Sequence, residues 1–300
     1  MTRPASAPHA EPVKRSARAP IVVGVDVDDS AGSRRAVVWG AEEAVRLNAP
    51  LLLVHAAGHP DTFPGETHKR RAEVLLRKAR LEVERVCPRL DVWTESSSES
   101  PIPLLLARSG AARLIVLGAS TRGNLLARHA HSPALAVAGR ARCPVVVVRG
   151  DRQWQAAQRP VVLGVDGTPA SEGAIAVAFE EAARRRSPLV ALHARTDTEY
   201  RTASNPTWIR LEWEPVHEQE SRTLAERLAG WGERYPDVHV DRVVVRDRPR
   251  HHLLRWSGRA RLLVVGSRGR GGVAAMLLGS TSRALVQHAR CPVMVVRPPT

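Results

Sequence analysis

Lysine is scarce in this chain of 300 residues: it occurs at three positions, all of them in the first half. A Walker-type phosphate loop needs a Gly-Lys-Ser/Thr step, so the second half excludes that loop. Cysteine is also scarce, at Cys87, Cys143 and Cys291. Because the number is odd and no Cys-x-x-Cys pair occurs, the sequence predicts neither a disulfide framework nor a zinc site.

Long apolar runs are missing as well. No run approaches the ~20 residues that span a bilayer, and residues 1–19 lack the apolar middle of a secretory signal. Those residues are rich in Pro, Ala, Arg and Ser, a composition typical of disorder. We therefore expect a disordered tail, no membrane segment and a cytoplasmic location.

Aromatic residues make up only 4% of the chain, whereas the formal net charge is +15. Such a charge suggests nucleic-acid binding as a hypothesis. The basic residues are nevertheless scattered along the sequence, with little aromatic interleaving. The sequence favours a solvated basic surface over a nucleic-acid interface.

Short apolar segments alternate with helical patterns through the first half. The predicted strands are 21–26, 51–56, a segment near Val92, 113–118 and 143–148. The predicted helices run from about Ser33 to Leu47, over 68–86 with an inner stripe of Val74, Leu75, Leu81 and Val86, over 103–108, and near 134–141. Fully apolar strands separated by helices are typical of a parallel sheet covered on both faces, which predicts a doubly wound α/β fold.

The second half repeats the first. Residues 87–149 align without gaps on residues 235–297, so that Pro101 meets Pro249 and Gly118 meets Gly266. Strands are predicted at 161–166, 189–193, about 238–245, 261–266 and 291–296. The sequence therefore predicts a tail (1–19), a first domain (20–150), a linker (151–159) and a second, homologous domain (160–297).

A glycine-rich segment follows the predicted strand at 261–266. Glycines stand at positions 266, 269, 271, 272 and 279, and Ser280 and Thr281 come next, where a helix is predicted to begin. Glycines let backbone N–H groups approach an anion, and the start of a helix adds further unpaired N–H groups. This pattern predicts a phosphate-binding loop.

The spacing of Gly266, Gly269, Gly279 and Ser280 after a buried strand resembles the nucleotide signature of the universal stress protein family, of the ATP-binding kind. The resemblance covers nearly the whole chain beyond residue 19, once in each half. It implies two five-stranded parallel sheets of order 3-2-1-4-5, whose last strands pair in an internal pseudo-dimer. It also implies ATP, with Mg²⁺, as the ligand.

The resemblance further implies a set of nucleotide-binding residues in the second half. They are Val165, Asp166, Gly167 and Thr168 after the first strand, Ala194 after the second, Val265, Gly266, Arg268 and Gly269 in the glycine loop, and Gly279, Ser280 and Thr281 at the helix start. Asp166 is expected to accept hydrogen bonds from ribose or to hold the metal ion. The alternative is that Asp166 caps the following helix. We interpret His193 as a packed residue and leave it out of the site.

The first half departs from this pattern. Thr121 and His131 stand where the second half has Gly269 and Gly279, and only Ser132 matches Ser280. Asp26 is kept, but two further carboxylates, at positions 28 and 29, follow it. We expect the first half to bind ATP weakly or not at all; a phosphate-contacting or catalytic role of His131 is the alternative.

The leading hypothesis is a nucleotide-responsive stress or regulatory protein that binds ATP through its second domain. No general base, nucleophile elbow or metal-ligand cluster is visible beside the loop. The alternatives are a slow ATPase or self-phosphorylating protein using Ser280 or Thr281, a non-binding partner scaffold, and a nucleic-acid-associated basic protein. An unidentified protein partner and a homodimer are further expectations.

Overall fold

The computed structural model describes residues 19–26, 30–56, 58, 65–119, 132–149, 155–156, 158–195, 213–269 and 278–298. The predicted tail therefore lies outside the described residues except for Ala19, and the predicted linker is described only in part. Within the described residues, no helix combines the length and the apolar character that a membrane span requires.

The strands and helices of the first half alternate as predicted. The strands are β1 (Ile21–Gly24), β2 (Leu51–Ala56), β3 (Val92–Ser97), β4 (Leu114–Gly118) and β5 (Val145–Val148). The helices are α1 (Ala31–Arg46), α2 (Gly65–Val86), α3 (Pro101–Arg108) and α4 (Pro133–Arg140).

The second half follows the same order. Its strands are β6 (Val161–Val165), β7 (Leu189–Arg195), β8 (Val240–Arg246), β9 (Leu262–Gly266) and β10 (Val293–Val296). Its helices are α5 (Glu172–Arg185), preceded by a 3₁₀ turn at Pro169–Ser171, then α6 (Trp213–Leu228), α7 (Trp231–Arg234), α8 (Pro249–Ser257) and α9 (Ser280–His288).

The ten strands of the described residues form one sheet, in the order β3-β2-β1-β4-β5-β10-β9-β6-β7-β8. Pairing is parallel within each half. It is antiparallel only where the halves meet, between β5 and β10, with Met294 opposite Val146. This arrangement confirms the predicted fold class and the internal pseudo-dimer.

The strands at the centre carry the core because both faces of the sheet are covered. Every residue of β5 and β10 is buried, as the continuous apolar runs of those strands predict. Two reciprocal contacts flank the junction: Arg297 donates to the Arg140 carbonyl oxygen (2.8 Å), and Arg149 donates to the Val286 carbonyl oxygen (3.4 Å).

The predicted inner stripe of α2 is wrong at three positions. Val74, Leu81 and Val86 are exposed, and only Leu75 of the predicted set is buried. The stripe that faces the protein also contains Leu76 and three small or β-branched residues, which are Ala72, Ala79 and Val83. Small side chains let a helix lie close to the sheet, so the inward face is less apolar in sequence than a count of large residues suggests.

A buried ion cluster joins the two halves on the side of α1 and α5. The guanidinium of Arg185 lies 2.7 Å from Glu43 and 2.6 Å from Glu181, and all three side chains are almost fully buried. Arg46 and Arg184 add one ion pair each at the margins. Arg185 also lies over the Trp39 ring, 5.5 Å from its centroid.

The two glutamates of this cluster have opposite pKa shifts. Burial alone raises the pKa of Glu43, but the charges of Arg185 and Arg46 outweigh burial and hold it below the ordinary value. Burial, followed by the charge of Glu43, raises the pKa of Glu181. Two carboxylates that share one arginine cannot both gain fully from it.

Candidate functional site

The carboxyl ends of three neighbouring strands bring the predicted site residues together. In β6, Val165 is paired with His193 of β7, and Gly164 is paired with Val265 of β9. Asp166 therefore follows directly at the edge where β7 and β9 also end. The winding of the sheet reverses here, which is where doubly wound sheets bind ligands.

The carboxylate of Asp166 uses its two oxygens differently. Oδ1 accepts hydrogen bonds from the Thr168 backbone N–H (2.8 Å), the Thr168 hydroxyl (2.8 Å) and the Ser171 hydroxyl (2.5 Å). Oδ2 is buried and has no hydrogen-bond partner among the described residues. Oδ1 thus performs the turn-capping role that the sequence left as an alternative, and Oδ2 remains available for a ligand.

The glycine loop after β9 lies against that unused oxygen. A Cβ atom placed on Gly269 would be 3.2 Å from Asp166 Oδ2. A Cβ on Gly266 would be 3.1 Å from the Arg268 carbonyl oxygen and 3.7 Å from that of Ala170. Any side chain at position 269 would occupy space next to the carboxylate, and glycine keeps this space open.

The start of α9 lies on the same loop. Gly279 precedes the first helical residue, Ser280, and its backbone N–H donates to the Ser267 carbonyl oxygen at 2.8 Å. The Ser282 hydroxyl donates to the Gly266 carbonyl oxygen at 2.6 Å. Among the described residues no side chain caps the helix start, so its first N–H groups and positive dipole end can receive an anion.

The remaining predicted residues lie at the margin of this arrangement. Val165 and Val265 are buried strand residues, and Ala194 is a buried residue of β7 on the far side of β6. Arg268 and Ser280 are exposed, and Thr281 is half-buried. Six positions that the sequence analysis discussed lie outside the described residues: Asp28, Asp29, Thr121, His131, Gly271 and Gly272.

His193 is a packed residue, as the sequence predicted. It is fully buried, with Nδ1 2.9 Å from the Val165 carbonyl oxygen and Nε2 2.7 Å from Glu220 Oε2 of α6. His55 makes the same Nδ1 contact to the Val25 carbonyl oxygen in the first half, also at 2.9 Å. Because a carbonyl only accepts, each histidine donates through Nδ1 and fixes the backbone just before the aspartate.

Three residues beside the site were missed from the sequence, and two of them support it. The Ser171 hydroxyl also accepts from the Asp166 N–H, at 3.1 Å. Arg227 Nε donates to the carbonyl oxygen of Gly167, a residue with φ of +80°. The Ser267 hydroxyl is buried without a partner among the described residues. The repeat held a signal for the first of these, since Ser33 holds the Asp26 N–H in the same way (3.1 Å).

The corresponding edge of the first half is more tightly closed. A Cβ atom on Gly118 would lie 2.7 Å from the Gly32 carbonyl group, and one on Gly32 would lie 2.3 Å from the Ala119 carbonyl oxygen. The start of α1 therefore packs directly on the end of β4. In the second half, Ala170 stands at the place of Gly32 and lies farther from the strand end.

Comparison with known proteins agrees with this architecture. The family model described as "Universal stress protein family" matches residues 18–149 and again residues 158–297. The chain belongs to the universal stress protein family. Both matches together cover most of the chain, once per half, so this member of the family is a tandem protein.

Several universal stress proteins are similar over nearly their full length. The chain is 40% identical over 291 residues to universal stress protein Rv2005c of Mycobacterium tuberculosis, which covers 92% of this chain and 96% of the relative. It is 42% identical over 287 residues to a universal stress protein of Mycolicibacterium smegmatis, with 91% and 96% covered. A crystal structure of a universal stress protein from Archaeoglobus fulgidus has the same fold, with a TM-score of 0.67 at 16% identity over 92% of this chain and 96% of that one.

Proposed function

We propose that the protein binds ATP, together with Mg²⁺, in its second half and acts as a nucleotide-responsive stress or regulatory protein. The observation that carries the proposal is the buried Oδ2 of Asp166, which faces Gly269 and has no hydrogen-bond partner in the described part of the chain. Leaving a buried carboxylate oxygen unpaired costs about 1–3 kcal/mol or more. A ligand that supplies a hydroxyl donor or a cation at this point removes that cost.

The chain's own residues fit both the phosphate groups and the Mg²⁺ ion of such a ligand. The uncapped start of α9 and the described backbone of the glycine loop, 266–269 and 278–279, would face the phosphate groups, and the helix dipole favours negative charge there. Mg²⁺ in nucleotide sites is held by one or two carboxylates and by phosphate oxygens, so Asp166 alone suffices on the protein side. The ion would neutralise phosphate charge; Asp166 would orient it.

The first half serves as the supporting half in this proposal. Its strand end is covered by the start of α1, at Gly32 and Ser33. The helix that corresponds to α9 is α4, which begins at Pro133, and proline has no backbone N–H to donate. A closed strand end and a helix that begins with proline leave fewer free N–H groups for a phosphate than the second half offers.

A matched pair of substitutions tests the proposal. Asp166→Asn keeps the size of the side chain but removes its charge, and charge-assisted hydrogen bonds contribute about 1.5–3 kcal/mol. We expect calorimetric titration with Mg-ATP to give an affinity lower by roughly tenfold to a hundredfold. Asp26→Asn, at the equivalent position of the first half, is the control and should leave the affinity unchanged.

The proposal is wrong if Asp166→Asn binds Mg-ATP like the unmodified protein while remaining folded. Equal losses in both variants would contradict the division of labour between the halves. Thermal unfolding of each variant separates these outcomes from loss of structure, because the aspartate also organises its own turn through Oδ1.

A further inference from the structure

A basic groove lies between α8 and α9, at the end of the second half. It has a volume of about 610 Å³. Five of the residues that line it differ in chemical type from the residues at the same places in the first half. They are His251, His252, Arg255, Trp256 and Arg259. Two further basic residues, His288 and Arg290, and the apolar Leu254 also line the groove, and none of the described lining residues is a carboxylate.

The first half shows that the fold does not need these residues. In the ungapped alignment, Pro103, Leu104, Ala107, Arg108 and Ala111 stand at the places of His251, His252, Arg255, Trp256 and Arg259. Helix α3, which carries most of them, spans nearly the same stretch as α8. Within one molecule, therefore, the same segment exists with one basic residue, Arg108, at these five places and with two histidines, two arginines and a tryptophan.

Two of the residues that line the groove, His288 and Arg290, have basic counterparts in the first half. Arg140 and Arg142 of the first half align with His288 and Arg290. The Arg142 backbone N–H donates to the Ser109 hydroxyl, and the Arg290 N–H donates to the Ser257 hydroxyl, both at 3.0 Å. Basic residues at the end of α4 or α9 also stabilise the helix dipole. The argument for a ligand therefore rests on the five residues that only the second half has.

These five residues combine cationic groups with flat rings. Arg255, Arg259 and His251 are exposed, and Trp256 and His252 are half-buried. The two histidine rings meet edge to face, with centroids 5.6 Å apart. Guanidinium groups bind phosphate oxygens, and bases stack on tryptophan, histidine and arginine planes. An acidic peptide would use the arginines but would give the rings no partner.

We propose that this groove binds a single-stranded nucleic acid, with its phosphates on Arg255 and Arg259 and its bases against Trp256 and the histidine rings. Positively charged grooves with aromatic platforms are the usual means of binding single strands without sequence preference. The basic residues that carry the proposal lie within one segment, 251–259, and α9, which packs beside α8, adds His288 and Arg290 to the groove. The proposal does not depend on nucleotide binding at Asp166.

The test is a titration of a fluorescein-labelled oligothymidylate, followed by fluorescence anisotropy at several salt concentrations. The variant is R255A/R259A, which introduces the residues that the first half has at these places, so the fold should tolerate it. Each lost phosphate contact makes the slope of log affinity against log salt shallower by about 0.7 for a single strand, so we expect a change of about 1.4. Trp256→Leu should lower the affinity about tenfold with the slope unchanged.

The control is R70A/R77A, which removes the same charge from exposed positions of α2 and should change neither slope nor affinity. Equal effects of both double variants would overturn the proposal, because binding would then follow total charge alone. Competition by oligoglutamate as strong as competition by unlabelled strand would also overturn it, in favour of an acidic protein segment. Excess Mg-ATP should leave the strand bound; displacement by ATP would place the strand at the other site and contradict the proposal.

Discussion

Asp166 combines two roles in one carboxylate. Its Oδ1 organises the turn that leads into α5, and its Oδ2 faces the glycine loop without a partner among the described residues. The sequence predicted the residue and both of its candidate roles. It did not predict that the roles coexist, because the assignment of each oxygen depends on the distance to Ser171 and Gly269, which only the folded chain fixes.

The reactivity of the Cys291 thiol tests whether this side chain is buried. Burial raises the pKa of the Cys291 thiol to about 12, whereas an unfolded thiol has a pKa of about 8.5. Only the thiolate reacts, so at pH 8.5 the thiolate fraction of Cys291 should be on the order of a thousandfold lower than in the unfolded chain. We expect iodoacetamide to label Cys291 only after unfolding, as peptide mass spectrometry would detect.

The same shift has a definite sign for stability. The thiol pKa of Cys291 is higher in the folded state than in the unfolded state. Its contribution to the free energy of unfolding is therefore fully present below the unfolded pKa and is lost as the pH rises towards the folded pKa. Cys87, which is half-buried, is the internal comparison. Labelling of Cys291 in native protein at the rate of Cys87 would contradict the burial that the structure assigns to it.

Glycines at the strand ends distinguish the two halves at the scale of elements. Gly118 closes β4 against the start of α1, where an added Cβ would lie 2.7 Å from backbone atoms that have no room to move. At the end of β9 the contact is less close, because a Cβ atom added to Gly266 would lie 3.1 Å from the Arg268 carbonyl oxygen. The two positions align in the sequence, yet they have different surroundings.

Alanine at these two positions should therefore have different effects. We expect Gly118→Ala to lower the free energy of unfolding by about 1–3 kcal/mol, the usual cost of overpacking. Gly266→Ala should cost less, because the Arg268 carbonyl oxygen needs to give way by only a few tenths of an ångström. Urea unfolding of both variants measures the difference, and a larger loss for Gly266→Ala would show that the first half is not the more tightly closed one.

The elements themselves were predictable to a large extent, and the errors have physical causes. Continuous apolar runs such as 143–148 predicted the central strands, because a strand buried on both faces has no polar alternation to obscure it. The start of α9 at Ser280 also matched. The inward face of α2 did not match, because alanines at positions 72 and 79 pack inside while larger residues such as Leu81 lie outside. Size alone does not predict burial when a helix lies close to a sheet.

At the scale of the whole molecule, the two halves are joined by a strand pair and an ion cluster. The sequence repeat and the family resemblance predicted the pairing of β5 with β10. Neither predicted the cluster, because Leu47 stands at the place of Arg185 in the first half, and the repeat therefore gave no sign of it. Only the packing of α1 beside α5 brings Glu43 to Arg185.

Removal of Arg185 should destabilise the molecule strongly. Arg185→Met leaves Glu43 and Glu181 buried without their shared cation, and breaking a buried ion pair from one side costs about 3–5 kcal/mol. The control is Arg46→Ala, whose partly exposed side chain pairs with Glu43 at the margin and should cost less than about 1 kcal/mol. Urea unfolding at neutral pH compares the two; equal losses would contradict the central role of Arg185.

The pH dependence of this cluster follows from Glu43. Its folded pKa is lowered because the arginine charges outweigh burial, so its contribution to stability is present above the unfolded pKa and is lost as the pH falls through the folded value. The pKa of Glu181 is raised instead, so its contribution to stability is present at low pH and is lost as the pH rises. Arg185→Met should therefore flatten the acid limb of the stability profile that comes from Glu43.

The central claim is that one half of this tandem universal stress protein binds the nucleotide and the other half supports it. The most direct measurement is the stoichiometry of Mg-ATP binding by calorimetric titration of the purified protein. The account predicts one site per chain, and that site should be lost in Gly279→His, which places a side chain at the start of α9. Two sites per chain, or full binding by that variant, would contradict the division of labour, and no binding at all would contradict the nucleotide site itself.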